Sequence, residues 1–174
     1  MKNTNTLRCI IKRLIFTLII ILSFSAQFNL FAANLPFPVY FLIPVVVSVS
    51  MYEKEYAGLF FGLLAGVLWD IASPATDGIM ALIFTIGAFA TGILSKYILR
   101  NTLLNGILLS LIFSFIYSAV SLLLYTDSFA YELLRGYFIK TYLPAIIFTA
   151  VLSIPCYIAV RALSRHFKGK EQLS

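Results

Sequence analysis

Six long apolar stretches follow one another along the chain, separated mostly by short polar segments. Within each stretch the apolar residues are continuous instead of alternating with polar ones, which excludes the strands of a membrane β-barrel. Because non-helical backbone cannot face lipid, each stretch predicts a membrane-spanning helix. The predicted spans are Leu14–Phe31, Phe37–Met51, Tyr56–Ala72, Ile79–Tyr97, Leu103–Tyr125 and Leu143–Val160.

The composition leads to the same class of protein. The chain has 174 residues, of which 61% are hydrophobic and only 11% are charged, whereas a soluble domain carries about 25% charged residues. This excludes a soluble enzyme, a disordered tail and a nucleic-acid-binding domain, despite the net charge of +6. We therefore predict a single all-α membrane domain over residues 1–174, a compact bundle of six transmembrane helices.

The basic residues predict the orientation of the bundle. With a cytoplasmic N-terminus, only Arg135 and Lys140 fall in outer loops, and the other Lys and Arg residues all fall in inner segments. An excess of Lys and Arg is typical of the cytoplasmic segments of membrane proteins. It predicts six spans with both termini inside. A cleaved signal peptide remains an alternative for the first stretch, but its apolar run continues through Phe31, which favours an uncleaved span.

A stripe of small residues makes the third span distinctive. Gly58, Gly62, Gly66 and Asp70 recur every four residues, so a helix places them along one side. Small residues at this spacing allow a neighbouring helix to approach closely. Two interpretations of Asp70 stay open: an interfacial carboxylate that reaches water, or one that orients a helix or binds a partner. Trp69 beside it is typical of an interface belt.

The turn after this stripe predicts a compact hairpin with the fourth span. Pro74 ends one helix, and Gly78 permits a tight backbone before the next. Asp77 near the start of the fourth helix complements the helix dipole. Together these residues predict that the third and fourth spans are antiparallel neighbours.

The last two spans carry further packing signals. Gly106, Ser110, Ser114 and Ser118 are four residues apart, which favours packing inside the bundle, with a dimer or partner interface as the alternative. Pro144 suits the first turn of the sixth helix, and Pro155 predicts a kink or a freed carbonyl group within it. The segment Thr126–Thr141 before it reads as a short amphipathic helix.

The sequence has no constellation of residues that indicates catalysis. It lacks a phosphate-binding loop, a zinc-protease motif and a serine-hydrolase motif. Cys9, Cys156 and His166 are too few for a usual zinc site. We therefore expect no catalytic residues, no cofactor and no metal, and the alternative of a membrane-embedded enzyme is disfavoured.

One segment resembles a known family. The run from Gly58 to Ser73 (GLFFGLLAGVLWDIAS), followed by Gly78, is similar to the signature of the rod shape-determining membrane protein family MreD. Gln27 near the end of the first span, then Pro36 and Pro38, resemble the start of the family. Pro144 and Pro155 resemble its end. The resemblance also implies a fold similar to the substrate-binding subunits of energy-coupling-factor transporters.

The resemblance implies a non-enzymatic scaffold of the rod complex, or elongasome, which elongates the peptidoglycan cell wall and maintains cell shape. The implied partner is an MreC-like bitopic membrane protein. MreB, RodA and a class B penicillin-binding transpeptidase are implied as indirect partners, besides the lipid bilayer. The alternative is a vitamin-binding subunit of an energy-coupling-factor transporter, whose pocket would draw on Trp69, Asp70, Asp77 and the segment Thr126–Thr141.

Overall fold

The chain folds into a bundle of helices around one short central helix. The computed structural model describes residues 2–32, 38–53, 55–72, 78–125 and 138–169. Within these ranges every regular element is helical. The elements are α1 (Lys2–Ala32), α2 (Leu42–Tyr52), α3 (Glu55–Ala72), α4 (Ile79–Tyr97), α5 (Leu103–Tyr125), a π-helix (Phe138–Tyr142) and α6 (Leu143–Gly169).

The predicted spans match these helices to different degrees. The bounds of α4 and α5 are as predicted, whereas α1 begins twelve residues before Leu14 and α6 continues nine residues past Val160. Many residues in these two extensions are polar. They can continue the helices, because Lys and Arg have a high helix propensity. Pro155 lies inside α6, and the helix continues on both sides of it.

Two of the six helices are shorter than an ordinary span. Four helices of the described part are long and apolar enough to cross a membrane, whereas α2 and the apolar part of α3 fall below that length. The 11 residues of α2 extend about 16 Å, roughly half the hydrocarbon thickness. The predicted span Phe37–Met51 includes most of α2, and the described residues 38–41 precede this helix.

The core of the bundle surrounds α2. Its residues from Leu42 to Met51 are all buried, although the run contains Ser48 and Ser50. Each of the other five α-helices contacts α2. Around it, α3 pairs with α4 and α5 pairs with α6, while α4 and α5 hardly touch despite their short connection. Helix α1 lies at the periphery, with most of its span exposed.

One end of the bundle gathers basic residues, and we call it the basic end. Lys12 of α1 forms an ion pair with Glu53 after α2, with 2.5 Å between Nζ and Oε1. Tyr52 donates a hydrogen bond to Tyr157 of α6, close to Arg161 in sequence. These contacts place the start of α1 and the end of α6 at the same end of the bundle.

Candidate functional site

The glycine stripe of α3 forms the contact with α4. Gly58, Gly62 and Gly66 are all buried. A β-carbon placed on Gly62 would lie 2.5 Å from the carbonyl oxygen of Phe84, and one on Gly66 would lie 2.8 Å from that of Met80. Only glycine fits at these two positions, because side chains do not approach the backbone so closely. The stripe therefore brings the α3 and α4 backbones together within this chain.

Gly58 lies at the looser end of the same contact. A β-carbon on Gly58 would lie 3.3 Å from the carbonyl oxygen of Ala88 and 3.3 Å from Oγ of Ser50. These distances are tight but require only a small adjustment. The closeness of α3 and α4 thus increases from Gly58 toward Gly66.

Asp70, the last member of the stripe, contacts the first turn of α4. Its Oδ2 accepts a hydrogen bond of 2.8 Å from the backbone N–H of Ala81, and its Oδ1 accepts one of 3.3 Å from Met80. The first N–H groups of a helix have no partner within the helix, and a carboxyl group there also interacts favourably with the helix dipole. The carboxyl group of one helix thus caps the next.

Gly78 begins α4 in a conformation that favours glycine. Its φ is 84°, in the left-handed region, which other residues adopt at a cost of about 1–2 kcal/mol. Its carbonyl oxygen accepts the first hydrogen bond of the helix, from Leu82 at 3.3 Å. Pro74 and Asp77 lie outside the described residues.

Trp69 belongs to a cluster of aromatic side chains instead of lying alone at the interface. Its ring lies 5.3 Å from Tyr117 of α5, 6.2 Å from Phe84 of α4 and 6.3 Å from Tyr40, measured between centroids. Tyr40 and Tyr117 also contact each other at 4.8 Å. These rings fill the space between the α3–α4 pair and α5, where the two helices α4 and α5 diverge.

The small residues of α5 face the interior of the bundle. Ser110, Ser114 and Ser118 are at most 1% exposed, and their hydroxyl groups have no hydrogen-bond partner among the described residues. A β-carbon on Gly106 would lie 2.9 Å from the ring of Tyr157. At the opposite end of α5, the hydroxyl of Ser121 lies 3.3 Å from that of Tyr142. The small residues of α5 are therefore covered by other parts of this chain.

The entry into α6 is a π-helix, Phe138–Tyr142, and Pro144 follows it as the second residue of α6. Proline has no N–H group and cannot donate to the carbonyl of Lys140, four residues earlier. Pro144 therefore lies at the start of α6, where a missing N–H costs little. The segment Thr126–Thr141 is expected to form a short amphipathic helix. Residues 126–137 lie outside the described residues, and residues 138–141 belong to the π-helix.

Two contacts at the ends of α2 were not predicted from the sequence. Oε1 of Gln27, a buried residue of α1, accepts a hydrogen bond of 2.9 Å from the backbone N–H of Leu42, the first residue of α2. At the basic end, Tyr157 donates to the carbonyl of Asn101 at 2.7 Å and accepts from Tyr52 at 2.8 Å. The sequence signal that could have predicted the first contact is a polar residue, Gln27, inside an apolar run.

The described residues hold no group of three or more His, Cys, Asp or Glu side chains that could bind a metal ion. Cys9 is exposed and Cys156 is partly exposed, and both are free thiols. Asp70 and Glu53 instead bind groups of the chain itself. Among the described residues, the site therefore consists of contacts that hold the helices of the chain in position.

These features define an all-helical membrane protein whose polar and small residues hold its own helices together. The family model described as rod shape-determining protein MreD matches residues 5–167. The chain belongs to the MreD family, which has a role in determining rod shape. No curated protein matches the chain. No solved structure matches it either.

Proposed function

We propose that this protein is a non-enzymatic scaffold of the rod complex that elongates the bacterial cell wall. The observation that carries the proposal is the use of its polar groups: Asp70 caps α4, Gln27 contacts α2, and Glu53 pairs with Lys12. Asp70 and Glu53 both bind groups of the chain itself. A protein built in this way acts through its shape and its surface.

The proposed location is the bacterial cytoplasmic membrane, with both termini in the cytoplasm. The support is the gathering of Lys12, Arg161 and Arg165 at one end of the bundle, since cytoplasmic segments carry the excess of Lys and Arg. In this orientation Asp70 and the Trp69 cluster lie toward the outer side.

The proposed direct partner is an MreC-like bitopic membrane protein, which would link the chain to MreB, RodA and a class B penicillin-binding transpeptidase. The glycine stripe is occupied by α4, so a partner helix would meet the outward apolar faces of the bundle. Phe60, Leu63 and Val67 form such a face on α3, between 43% and 56% exposed.

Co-purification in a mild detergent tests this function. The protein, tagged at its C-terminus in its own host, is expected to recover the MreC-like protein, whereas a tagged unrelated six-span protein does not. Replacement of Leu63 and Val67 by Trp is expected to reduce the recovery without loss of the folded protein. Recovery of ATP-binding cassette subunits in place of the MreC-like protein would overturn the proposal.

The contacts of Trp69 and Asp70 argue against the vitamin-transporter alternative. Its pocket would need Trp69 and Asp70, but Trp69 packs against three other rings and Asp70 binds the backbone of α4. The family match gives it no support.

A further inference from the structure

One face of α6 changes from apolar to basic toward the basic end of the bundle. Four exposed apolar side chains lie along this face at steps of three or four residues, and two arginines continue the same series. A helix turns about 100° per residue, so all six lie within about 40° of one line. The residues are Ile147, Val151, Ile154, Ile158, Arg161 and Arg165.

The apolar part of this face has the length of a lipid chain in one leaflet. From Ile147 to Ile158 the helix rises about 16 Å, which is close to half of the hydrocarbon thickness of about 30 Å. Arg161 follows within one turn, and Arg165 lies one further turn along. The face therefore places two guanidinium groups where the headgroup of such a lipid begins.

Neither arginine pairs with the two acidic residues whose side chains the structure describes. Glu53 pairs with Lys12, and Asp70 lies at the opposite end against α4. Arg161 is half-buried and Arg165 is exposed. Both guanidinium groups lie near enough to the hydroxyl of Tyr52, at the end of α2, to interact with it electrostatically.

We propose that this face binds an anionic phospholipid, with its phosphate held by Arg161 and Arg165 and an acyl chain along Ile147–Ile158. Guanidinium groups match phosphate through paired, charge-assisted hydrogen bonds. The partial burial of Arg161 against the bundle restricts its side chain and makes the site more specific than a diffuse basic surface. The proposal goes beyond the scaffold function and does not rest on it.

Thermal unfolding in detergent with added lipid tests the proposal, because a ligand that binds the folded state raises the melting temperature. The probes are dioleoyl phosphatidylglycerol and, for comparison, zwitterionic dioleoyl phosphatidylcholine. We expect phosphatidylglycerol to stabilise the native protein more. Each basic residue near an anionic lipid contributes roughly fivefold in affinity. The double variant Arg161→Gln, Arg165→Gln is thus expected to bind about twenty-five-fold more weakly.

A matched control removes the same number of charges from the same end of the bundle. Lys96 and Arg100 are exposed residues at the end of α4 and just beyond it, so the variant Lys96→Gln, Arg100→Gln keeps the proposed site and lowers the net charge equally. This control is expected to retain most of the preference for phosphatidylglycerol. If the double variant at α6 is less stable without lipid, Arg165→Gln alone gives the test, because that side chain is exposed.

Three results would overturn the proposal. The first is equal stabilisation of the native protein by the two lipids. The second is an equal loss of preference in the control and in the α6 variant, which would indicate a general charge effect. The third is stabilisation by inorganic phosphate to the same extent as by phosphatidylglycerol, which would indicate a site for free phosphate.

Discussion

At the scale of single residues, the glycines of α3 differ in how closely they approach α4. A β-carbon on Gly66 would come within 2.8 Å of the Met80 carbonyl, while one on Gly58 would lie 3.3 Å from its nearest neighbour. A methyl group at the first position must push two backbones apart, whereas at the second a small shift accommodates it. A side chain at the glycine positions is therefore tolerated less well toward Gly66, where α3 and α4 approach more closely than at Gly58.

Gly66→Ala is expected to destabilise the protein by about 1–3 kcal/mol or more, the usual cost of overpacking a close contact. Gly58→Ala serves as its matched control and is expected to cost much less. The measurement is the melting temperature in detergent, followed by the yield of monodisperse protein. Equal effects of the two substitutions would contradict the geometry of the α3–α4 contact.

Asp70→Ala is expected to lower stability by about 0.5–2 kcal/mol, since it removes both acceptors from the first turn of α4. Asp70→Asn keeps one acceptor oxygen and is expected to cost less than Asp70→Ala. Ile71→Ala, at a neighbouring side chain that is 74% exposed, is the control. The idea of a cap fails if Asp70→Ala unfolds at the same temperature as the control.

At the scale of elements, α2 depends on its neighbours at both of its ends. It is too short to cross the membrane alone, and its first N–H group is satisfied by Gln27 of α1. At its other end, Glu53 binds Lys12 of the same helix α1. Helix α1 is otherwise peripheral, so these two polar contacts and the packing of Phe16 against Phe61 determine where it lies.

Glu53→Gln is expected to destabilise the protein more than the double substitution Lys12→Gln, Glu53→Gln. The pair is largely buried, since the side chain of Lys12 is 14% and that of Glu53 is 9% exposed. Removal of one partner leaves an uncompensated charge, which costs about 3 kcal/mol or more in a fully buried pair. The double variant removes both charges together. Arg13→Gln, at an exposed basic residue of the same helix, controls for the loss of charge. A double variant less stable than Glu53→Gln contradicts this account.

At the scale of the whole molecule, many large apolar side chains are exposed, and several polar side chains are buried. Exposed apolar side chains cover α1, α3, α4, α5 and α6, as expected for a particle whose solvent is lipid. Its partners must therefore meet it within the bilayer or at its two edges. The family match over residues 5–167 gives this surface its context in rod shape determination.

Depletion of the protein from a rod-shaped host is expected to yield round cells. The proposed scaffold function predicts this result because wall elongation would lose one of its membrane components. The measurement is the ratio of cell length to width by microscopy. Re-expression of the native chain is expected to restore rods, and Gly66→Ala is expected to restore them less well than Gly58→Ala. Depleted cells that remain rods would count against the scaffold.

Much of the site could be predicted from the spacing of small residues. The four-residue repeat of Gly58, Gly62, Gly66 and Asp70 indicated a close helix contact, because a helix brings such residues onto one side. The repeat could not reveal whether the neighbour would be another helix of this chain or a partner. The choice of α4 depends on the short connection and on the fit of the two backbones.

The sequence by itself determined the class of the protein, the existence and order of its helices and the gathering of basic residues at one end. These properties depend on local hydrophobicity and on the length of each run. Only the tertiary structure decided that Asp70 caps α4, that α2 is a short buried centre and that Gln27 and Glu53 fasten α1 to it. Such contacts join residues distant along the chain, and their geometry arises only when the helices pack.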